Sequence, residues 1–262
     1  MSTEALNTKA AAKTQPEKTG RLICVYADQG AGKSTLTGTA PIGFKIHVVD
    51  FDGGMGLEPA KRLWLERGGR LGESGLSFTP PVTSFSGLHA ALWNLPTDKD
   101  LYVLDTYTTA MKIFKAYVMQ GKIEITDWRK VGGKISGLAI DYFDRWRTQV
   151  LQRGAWGLVL AQDKSKEVPM DSGNERLCPD LVGASGRDVS GMVDFLFHYE
   201  REKMGSGEWK RVLLTQDTPH VMAKDRSGAL SRTEPADLEH IITKVEAHMA
   251  KVANQAKIAD AL

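Results

Sequence analysis

The feature that most constrains this chain is a glycine-rich turn between a short apolar run and a helical segment. Residues 27–35 read ADQGAGKST, and residues 22–26 before them read LICVY. The apolar run favours a buried strand, and the residues from 34 to 39 favour a short helix. A strand, a glycine-rich turn and a helix in this order predict a loop whose backbone amides hold phosphate groups.

The loop departs from the common pattern GxxxxGK[ST] in one place, because Ala27 stands where the first glycine usually is. The replacement keeps a small residue at the turn. We expect the Lys33 ammonium to contact the terminal phosphates and the Ser34 hydroxyl to coordinate Mg²⁺. The pattern therefore predicts ATP and Mg²⁺ as cofactors. The predicted nucleotide-binding residues are Gln29, Gly30, Ala31, Gly32, Lys33, Ser34 and Thr35.

Two further apolar runs lead into carboxylates. Residues 44–51 read FKIHVVDF and precede Asp52, and residues 101–104 read LYVL and precede Asp105. An apolar strand ending in aspartate holds Mg²⁺ in phosphate-loop enzymes, so Asp105 is the predicted second metal ligand. Asp52 is the candidate general base for the attacking water, and Asp50 is its rival for that role. Either aspartate could instead serve only a turn or a helix cap.

The order of apolar runs predicts the fold class. Strand-like segments alternate with helical ones up to residues 156–161, and two more strands follow at 193–199 and 210–216. This order predicts an α/β fold in which a mainly parallel, twisted sheet carries helices on both faces and an antiparallel edge. Residues 163–190 contain few apolar residues and are predicted to form long mobile connections.

The sequence divides into three predicted parts. Residues 1–19 form a disordered polar tail, 20–232 the core, and 233–262 a C-terminal helix that starts at Pro235. Within the core, Ser136 is a predicted N-cap for a helix over residues 137–153.

The composition indicates the cellular compartment but does not identify a binding partner. The formal net charge of +2 and the isoelectric point of about 8.4 argue neither for nor against nucleic acid. Cys24 and Cys178 lack metal-site spacing, and a reducing cytoplasm suits two such cysteines. No apolar run approaches the roughly 20 residues that span a bilayer. We therefore expect a cytoplasmic protein without a membrane partner.

Gln162 follows the strand predicted over residues 156–161. A neutral amide at this position can contact a γ-phosphate and report its loss to the segment that follows. A polar residue at the end of a buried strand is also common for structural reasons. Gln162 is therefore a candidate sensor of the nucleotide.

Four motifs, in the order ADQGAGKST, VVDFD, LYVLDT and LVLAQ, resemble the RecA-like recombinase core. The resemblance is greatest to small phage P-loop ATPases of the AAA type that are related to single-strand annealing proteins, and it covers approximately residues 20–232. It implies a RecA-like P-loop NTPase fold, with Asp52 activating water, Asp105 holding the metal and Gln162 acting as the switch. The activating residue of that family is typically glutamate, so Asp52 is shorter by one methylene.

The same resemblance implies an oligomer with ATP at subunit interfaces, in a ring or a filament. Lys224 and Arg226 resemble a basic pair that reaches the nucleotide of the adjacent subunit, where both would stabilise charge on the transferring phosphoryl group. The alternative is an exposed basic turn, because Ser227 and Gly228 follow.

RecA-like proteins contact single-stranded DNA through the loops after the glutamine strand, so single-stranded DNA is an expected partner. The corresponding stretch here mixes acidic residues with basic ones and has no aromatic residue over 163–190 on which bases could stack. A solvated loop is equally compatible with it. The basic residues of the stretch are Lys164, Lys166, Arg176 and Arg187.

Three hypotheses follow. The first is an ATP-dependent protein of DNA recombination or single-strand annealing. The second is a nucleotide-gated switch or interaction protein that does not process DNA. The third is a small-molecule kinase, which the Gln162 position, the basic pair and the lack of an arginine-rich lid disfavour.

Overall fold

The computed structural model describes residues 20–53, 55–120, 128–167, 175–203 and 205–259, so the predicted tail over 1–19 lies outside the described residues. The strands are β1 (Arg21–Ala27), β2 (Ile46–Asp50), β3 (Leu76–Phe78), β4 (Leu101–Asp105), β5 (Trp156–Glu167), β6 (Glu175–Pro179), β7 (Phe195–Lys203), β8 (Trp209–Leu214), β9 (Lys224–Asp225) and β10 (Thr233–Pro235). The helices are α1 (Lys33–Thr37), α2 (Glu58–Glu66), α3 (Phe85–Trp93), α4 (Tyr107–Met119), α5 (Trp128–Gln152), α6 (Ser185–Met192) and α7 (Leu238–Ala259).

Ten strands form the sheet, whose main path runs β10-β8-β7-β1-β5-β4-β2-β3. The strands from β7 to β3 pair in parallel, whereas β8 pairs antiparallel to β7 and β10 antiparallel to β8. The predicted mainly parallel sheet with an antiparallel edge is therefore confirmed. Because β1 lies between β5 and β7, the loop that follows β1 leaves the sheet at its middle.

Two hydrophobic cores cover the two faces of the sheet. Side chains of β1 alternate between them, since successive residues of a strand point to opposite faces. Tyr26 packs with Phe114 of α4 and Phe143 of α5, whereas Val25 packs with Leu36 of α1. The helices α2 and α7 join the second core through Trp64 and Ile241. Helices thus cover both faces, as predicted.

The prediction of long mobile connections over residues 163–190 is wrong for residues 163–167 and 175–190, and residues 168–174 lie outside the described residues. Strand β5 continues beyond the sheet to Glu167 and pairs antiparallel with β6, and α6 follows. Two aspartates, Asp163 and Asp180, stand at the base of this hairpin. In β6, Leu177 packs against the first core and Cys178 is buried, but the two residues are adjacent in sequence, so the segment lacks the apolar alternation by which strands are recognised.

Two predicted helix starts are also wrong. Helix α5 begins at Trp128, and Ser136 lies inside it, where its hydroxyl accepts a hydrogen bond of 2.9 Å from the Ser185 amide of α6. Pro235 ends β10, and α7 begins at Leu238. Local preference assigns both residues to a helix start, but Ser136 instead makes a tertiary contact and Pro235 belongs to a strand of the sheet.

The two long helices differ in how much of each the core buries. Residues of α5 on its inner side, such as Phe143 and Trp146, are fully buried. Helix α7 is buried at Ile241 and Val245, but residues 250–258 are exposed. Of the helices in the described ranges, none combines the length and apolar character needed to cross a membrane.

Candidate nucleotide-binding site

The phosphate loop connects β1 to α1 at the carboxyl edge of the parallel strands. Gly30 and Gly32 have φ values of 77° and 100°, in the left-handed region that favours glycine. A side chain at Gly32 would also meet its surroundings, since a Cβ there would lie 3.3 Å from the Tyr199 hydroxyl and 3.4 Å from the Arg211 guanidinium carbon. The backbone conformation requires both glycines, and side chains of β7 and β8 pack closely against Gly32.

Lys33 is buried and turned back on its own loop. Its ammonium donates hydrogen bonds of 2.8 Å to the Ala27 carbonyl and 2.6 Å to the Asp28 carbonyl. Burial lowers the pKa of Lys33, and the carboxylates of Asp163 and Asp105 act in the opposite direction. To contact a phosphate, the ammonium must exchange these two carbonyls for phosphate oxygens.

Asp105 ends β4 and is 2% exposed. Neither of its carboxylate oxygens has a hydrogen bond of good geometry within the described ranges. Burial raises the pKa of Asp105 to about 7, while the nearby Ser34 hydroxyl acts to lower it. A buried carboxylate without partners, next to a hydroxyl, offers the hard oxygen ligands that Mg²⁺ prefers.

Asp105 and Ser34 therefore fit a magnesium ion, but they do not make a complete site. No group of three or more His, Cys, Asp and Glu side chains suited to a metal occurs among the residues that the structure describes. Magnesium usually keeps several waters and shares its remaining positions with substrate phosphates. The ion would thus be held jointly by these two residues and the nucleotide.

The structure separates the roles of the two aspartates after β2. Asp50 is buried, and its Oδ1 accepts hydrogen bonds of 3.1 Å from the Asp52 amide and 2.8 Å from the Gly53 amide. Asp52 is exposed, and its Oδ1 accepts hydrogen bonds from the Thr106 and Thr109 hydroxyls. Asp50 therefore shapes the turn, and the turn presents Asp52.

Gln162 lies in β5 opposite Ala27 of β1, beside the phosphate loop. Its backbone amide donates a hydrogen bond of 2.9 Å to the Thr108 hydroxyl, and its backbone carbonyl accepts one of 2.7 Å from the Asp180 amide. The backbone at Gln162 is thus tied both to α4 and to the base of the β5–β6 hairpin.

One cleft of about 510 Å³ brings these features together. It joins the phosphate loop to the turn after β2, the start of α4 and the end of the β5 segment in the main sheet. The lining residues are Gln29, Gly30, Gly32, Lys33, Ser34, Thr35, Asp52, Gly56, Pro59, Thr106, Thr109, Lys112 and Gln162. Most of the predicted binding residues line this cleft.

Sequence reasoning missed Thr106, Thr109 and Lys112. Thr109 and Lys112 are three residues apart and therefore share one face of α4. Because Asp105 was the predicted metal ligand, a search for polar residues on the helix face that follows it would have found them.

Lys224 and Arg226 do not line the cleft of their own chain. Lys224 donates a hydrogen bond of 2.6 Å to the Ser190 carbonyl, and Arg226 donates one of 2.8 Å to the Gly191 carbonyl. Strand β9 pairs with the first residues of β7, which lie at the amino edge of the parallel strands, whereas the phosphate loop lies at the carboxyl edge. Their action on the nucleotide of an adjacent subunit stays a prediction.

The basic residues predicted to contact DNA have different surroundings. Lys164 pairs with Asp180 at 3.4 Å, and Arg176 pairs with Asp217. Arg187 is exposed on α6. The side chain of Lys166 lies outside the described residues.

A parallel sheet with a phosphate loop after its central strand, and with an orphaned carboxylate at the end of β4, defines the core of a P-loop nucleoside triphosphatase. A model of the AAA domain family matches residues 19–227. Because the match covers well over half of the chain, the chain belongs to this family of P-loop ATPases, which generally use ATP and Mg²⁺. A search of curated protein sequences found no match.

Proposed function

We propose that this chain hydrolyses ATP with Mg²⁺ and acts in DNA recombination or single-strand annealing, as a homo-oligomer with ATP at its subunit interfaces. The observation that carries the hydrolytic part is the single cleft in which the phosphate loop, Asp52 and Gln162 meet. The recombination part goes further and rests on the resemblance of the four motifs together with the position of the β5–β6 hairpin.

In the proposed reaction, the amides of the loop and Lys33 hold the phosphates. Asp105 and Ser34 would hold Mg²⁺, which supplies neutralisation of the charge that develops on the phosphate oxygens. Asp52 is the general base. The Thr106 and Thr109 hydroxyls both donate to its Oδ1, so Oδ2 is the oxygen placed to accept the proton of the attacking water.

Gln162 is proposed to sense the γ-phosphate through its side-chain amide, which lines the cleft. A shift of this residue would act on the Asp180 amide and the Thr108 hydroxyl, because its backbone is bonded to both. The hairpin begins at the next residue of β5, so loss of the γ-phosphate would be transmitted to it directly.

Two further observations support an oligomer that handles DNA. The side chain of Arg226 is 53% exposed, and reorientation towards a neighbouring subunit would cost it one hydrogen bond to the Gly191 carbonyl and a 3.7 Å ion pair with Asp194. Arg187 is exposed on the helix that follows the hairpin and is available for phosphate contact.

A second candidate is a nucleotide-gated switch that does not process DNA. The ion pairs of Lys164 with Asp180 and of Arg176 with Asp217 favour it, because each neutralises a cation that the first candidate assigns to DNA phosphate. Under this reading, the hairpin changes its position with the nucleotide but contacts a protein.

Turnover of ATP with and without single-stranded DNA, over a salt series, separates the two candidates. The first requires stimulation by DNA and binding that weakens steeply with salt. Lys33→Ala should remove turnover, and Lys115→Ala, an exposed lysine of α4, is the matched control. Turnover without stimulation or salt-dependent DNA binding would refute the recombination role and leave the switch.

Arg226→Ala tests the interface. If the residue acts in trans, the variant should lose turnover and keep ATP binding, whereas Arg62→Ala, an exposed arginine on α2, should change neither. Weakened ATP binding by Arg226→Ala at concentrations where the chain is monomeric would contradict a role in trans.

A further inference from the structure

A cationic and aromatic face lies on the β7–β8 hairpin, directly beside the phosphate loop. Cross-strand neighbours Arg201 and Arg211 stand opposite each other in the antiparallel ladder, and the next pair outward on the same face is Lys203 and Trp209. Side chains alternate along each strand, so these four residues point to the same side as Tyr199, which packs in the core next to α1. We call these five residues the hairpin face.

The hairpin face touches the loop itself. A Cβ at Gly32 would lie within 3.5 Å of the Arg211 guanidinium and 3.3 Å from the Tyr199 hydroxyl. Arg201, Trp209 and Arg211 line a cavity of about 430 Å³, and Trp209 is 65% exposed. A large aromatic side chain with so much exposed surface, next to a ligand cleft, is available for stacking.

Within the described part of the chain, neither Arg201 nor Arg211 of the hairpin face forms an ion pair with a carboxylate. The acidic residues of β7, Glu200 and Glu202, point to the other side of the strand. Like charges directly opposite one another destabilise an antiparallel pair. An anionic ligand between the two arginines would remove that repulsion.

The surroundings of the loop differ in charge between its two sides. A second cavity, of about 640 Å³, borders the loop and carries the carboxylates of Asp28, Asp163 and Glu200, which repel a phosphate. Arg201 stands at the edge of this cavity and of the cavity that it shares with Trp209 and Arg211, and this last cavity has no acidic lining residue among those described and attracts a phosphate. Charge therefore directs the part of a bound nucleotide that leaves the loop towards the hairpin face.

We propose that the hairpin face is the nucleoside subsite of the ATP site: Trp209 stacks on the base, and Arg201 and Arg211 contact the phosphate nearest the ribose. Trp209 lies two residues along β8 from Arg211, or about 7 Å, which is comparable with the span of a ribose between its 5′-phosphate and its base. The inference rests on the proposed function, because it requires ATP to bind in the phosphate loop.

Equilibrium binding of Mg·ATP and Mg·tripolyphosphate, measured by calorimetry, tests the proposal. Trp209→Ala should weaken ATP binding by about tenfold, the usual value of a base–aromatic stack, and leave tripolyphosphate binding unchanged. Trp209→Phe should restore most of the loss. Lys210→Ala is the matched control, since Lys210 is exposed on the same strand and points to the opposite side.

Other results would overturn the proposal. If Trp209→Ala weakened the binding of ATP and tripolyphosphate equally, or changed neither, the base would not bind at this subsite. Loss of oligothymidylate binding with unchanged ATP binding would make the face a contact for single-stranded DNA instead. Failure of the parent chain to bind either ATP or tripolyphosphate would overturn the proposed function and, with it, the subsite. This outcome can be distinguished from failure of the subsite alone, because it is seen in the parent chain, in which Trp209 is intact.

Discussion

In the absence of nucleotide, the stability of Asp105→Asn relative to the parent should rise with pH. Asp105 is buried without a hydrogen bond of good geometry in the described residues, and burial raises its pKa from the ordinary 3.8 to about 7. The folded state therefore favours the protonated carboxyl. Stability associated with this group is present below the ordinary pKa, falls as the pH rises, and is fully lost above about 7.

The magnitude follows from the same shift. Compared with a carboxyl of ordinary pKa, Asp105 destabilises the fold by about 1 pKa unit at pH 5, where it is protonated, and by about 3 units at pH 8, where it is ionised. The difference is about 2 units, or about 3 kcal/mol. An asparagine amide in the same place lacks partners and costs roughly 1–3 kcal/mol, but this cost is the same at both pH values and cancels in the comparison.

Urea unfolding of the parent and Asp105→Asn at pH 5 and pH 8 measures the effect. The stability of the variant relative to the parent should rise by about 3 kcal/mol between the two pH values. Asp144→Asn, at a side chain that is 53% exposed, should show no such change. A difference between Asp105→Asn and the parent that is the same at both pH values would refute the reasoning, because it would mean that Asp105 is ionised in the fold without cost.

Three further predictions concern the cleft and the sheet. Asp50→Ala should lower the free energy of unfolding by about 1–2 kcal/mol, because it removes the acceptor of two turn amides. Asp52→Ala should change the free energy of unfolding by less than about 0.5 kcal/mol and abolish ATP turnover. Chemical unfolding and a turnover assay check both variants. Thr108→Val should lower turnover more than Mg·ATP affinity, because it removes the acceptor of the Gln162 amide; equal losses in kinetics and calorimetry would contradict this. Gly157→Ala should cost at least about 2 kcal/mol in denaturation, since its Cβ would come within 2.8 Å of Trp146; an unchanged midpoint would contradict it.

Local patterns were sufficient to predict most of the cleft. The phosphate loop is recognisable because glycines at fixed spacing between a strand and a helix satisfy one backbone requirement, and the φ values of Gly30 and Gly32 confirm that requirement. Asp105 could be found because a buried strand that ends in a carboxylate is rare without a ligand or a cap. The loop and Asp105 meet because β1 and β4, the two parallel strands that flank β5, end at the same edge of the sheet.

The projecting hairpin and the helix starts could not be predicted for a common reason. Residues 163–167 read DKSKE, without an apolar residue, and they form a strand because they pair with β6. Ser136 has the local character of an N-cap, yet it serves as an acceptor for Ser185 of another helix. Both results depend on partners outside the segment itself: the partner of Asp163 is Pro179, and Ser185 is 49 residues from Ser136.

The amino-acid sequence by itself determined the phosphate loop, the strand-end carboxylate at Asp105 and the class of sheet, because each follows from residues within a few positions of one another. Only the tertiary structure showed that the turn amides occupy the Asp50 carboxylate and that Asp52 lines the cleft, and the role of Asp52 as the base stays a prediction. The tertiary structure also placed Arg201, Arg211 and Trp209 beside the loop. The contact between the β7–β8 hairpin and the phosphate loop cannot be read from the sequence, because the two segments are far apart in the chain. They meet because β7 pairs with β1.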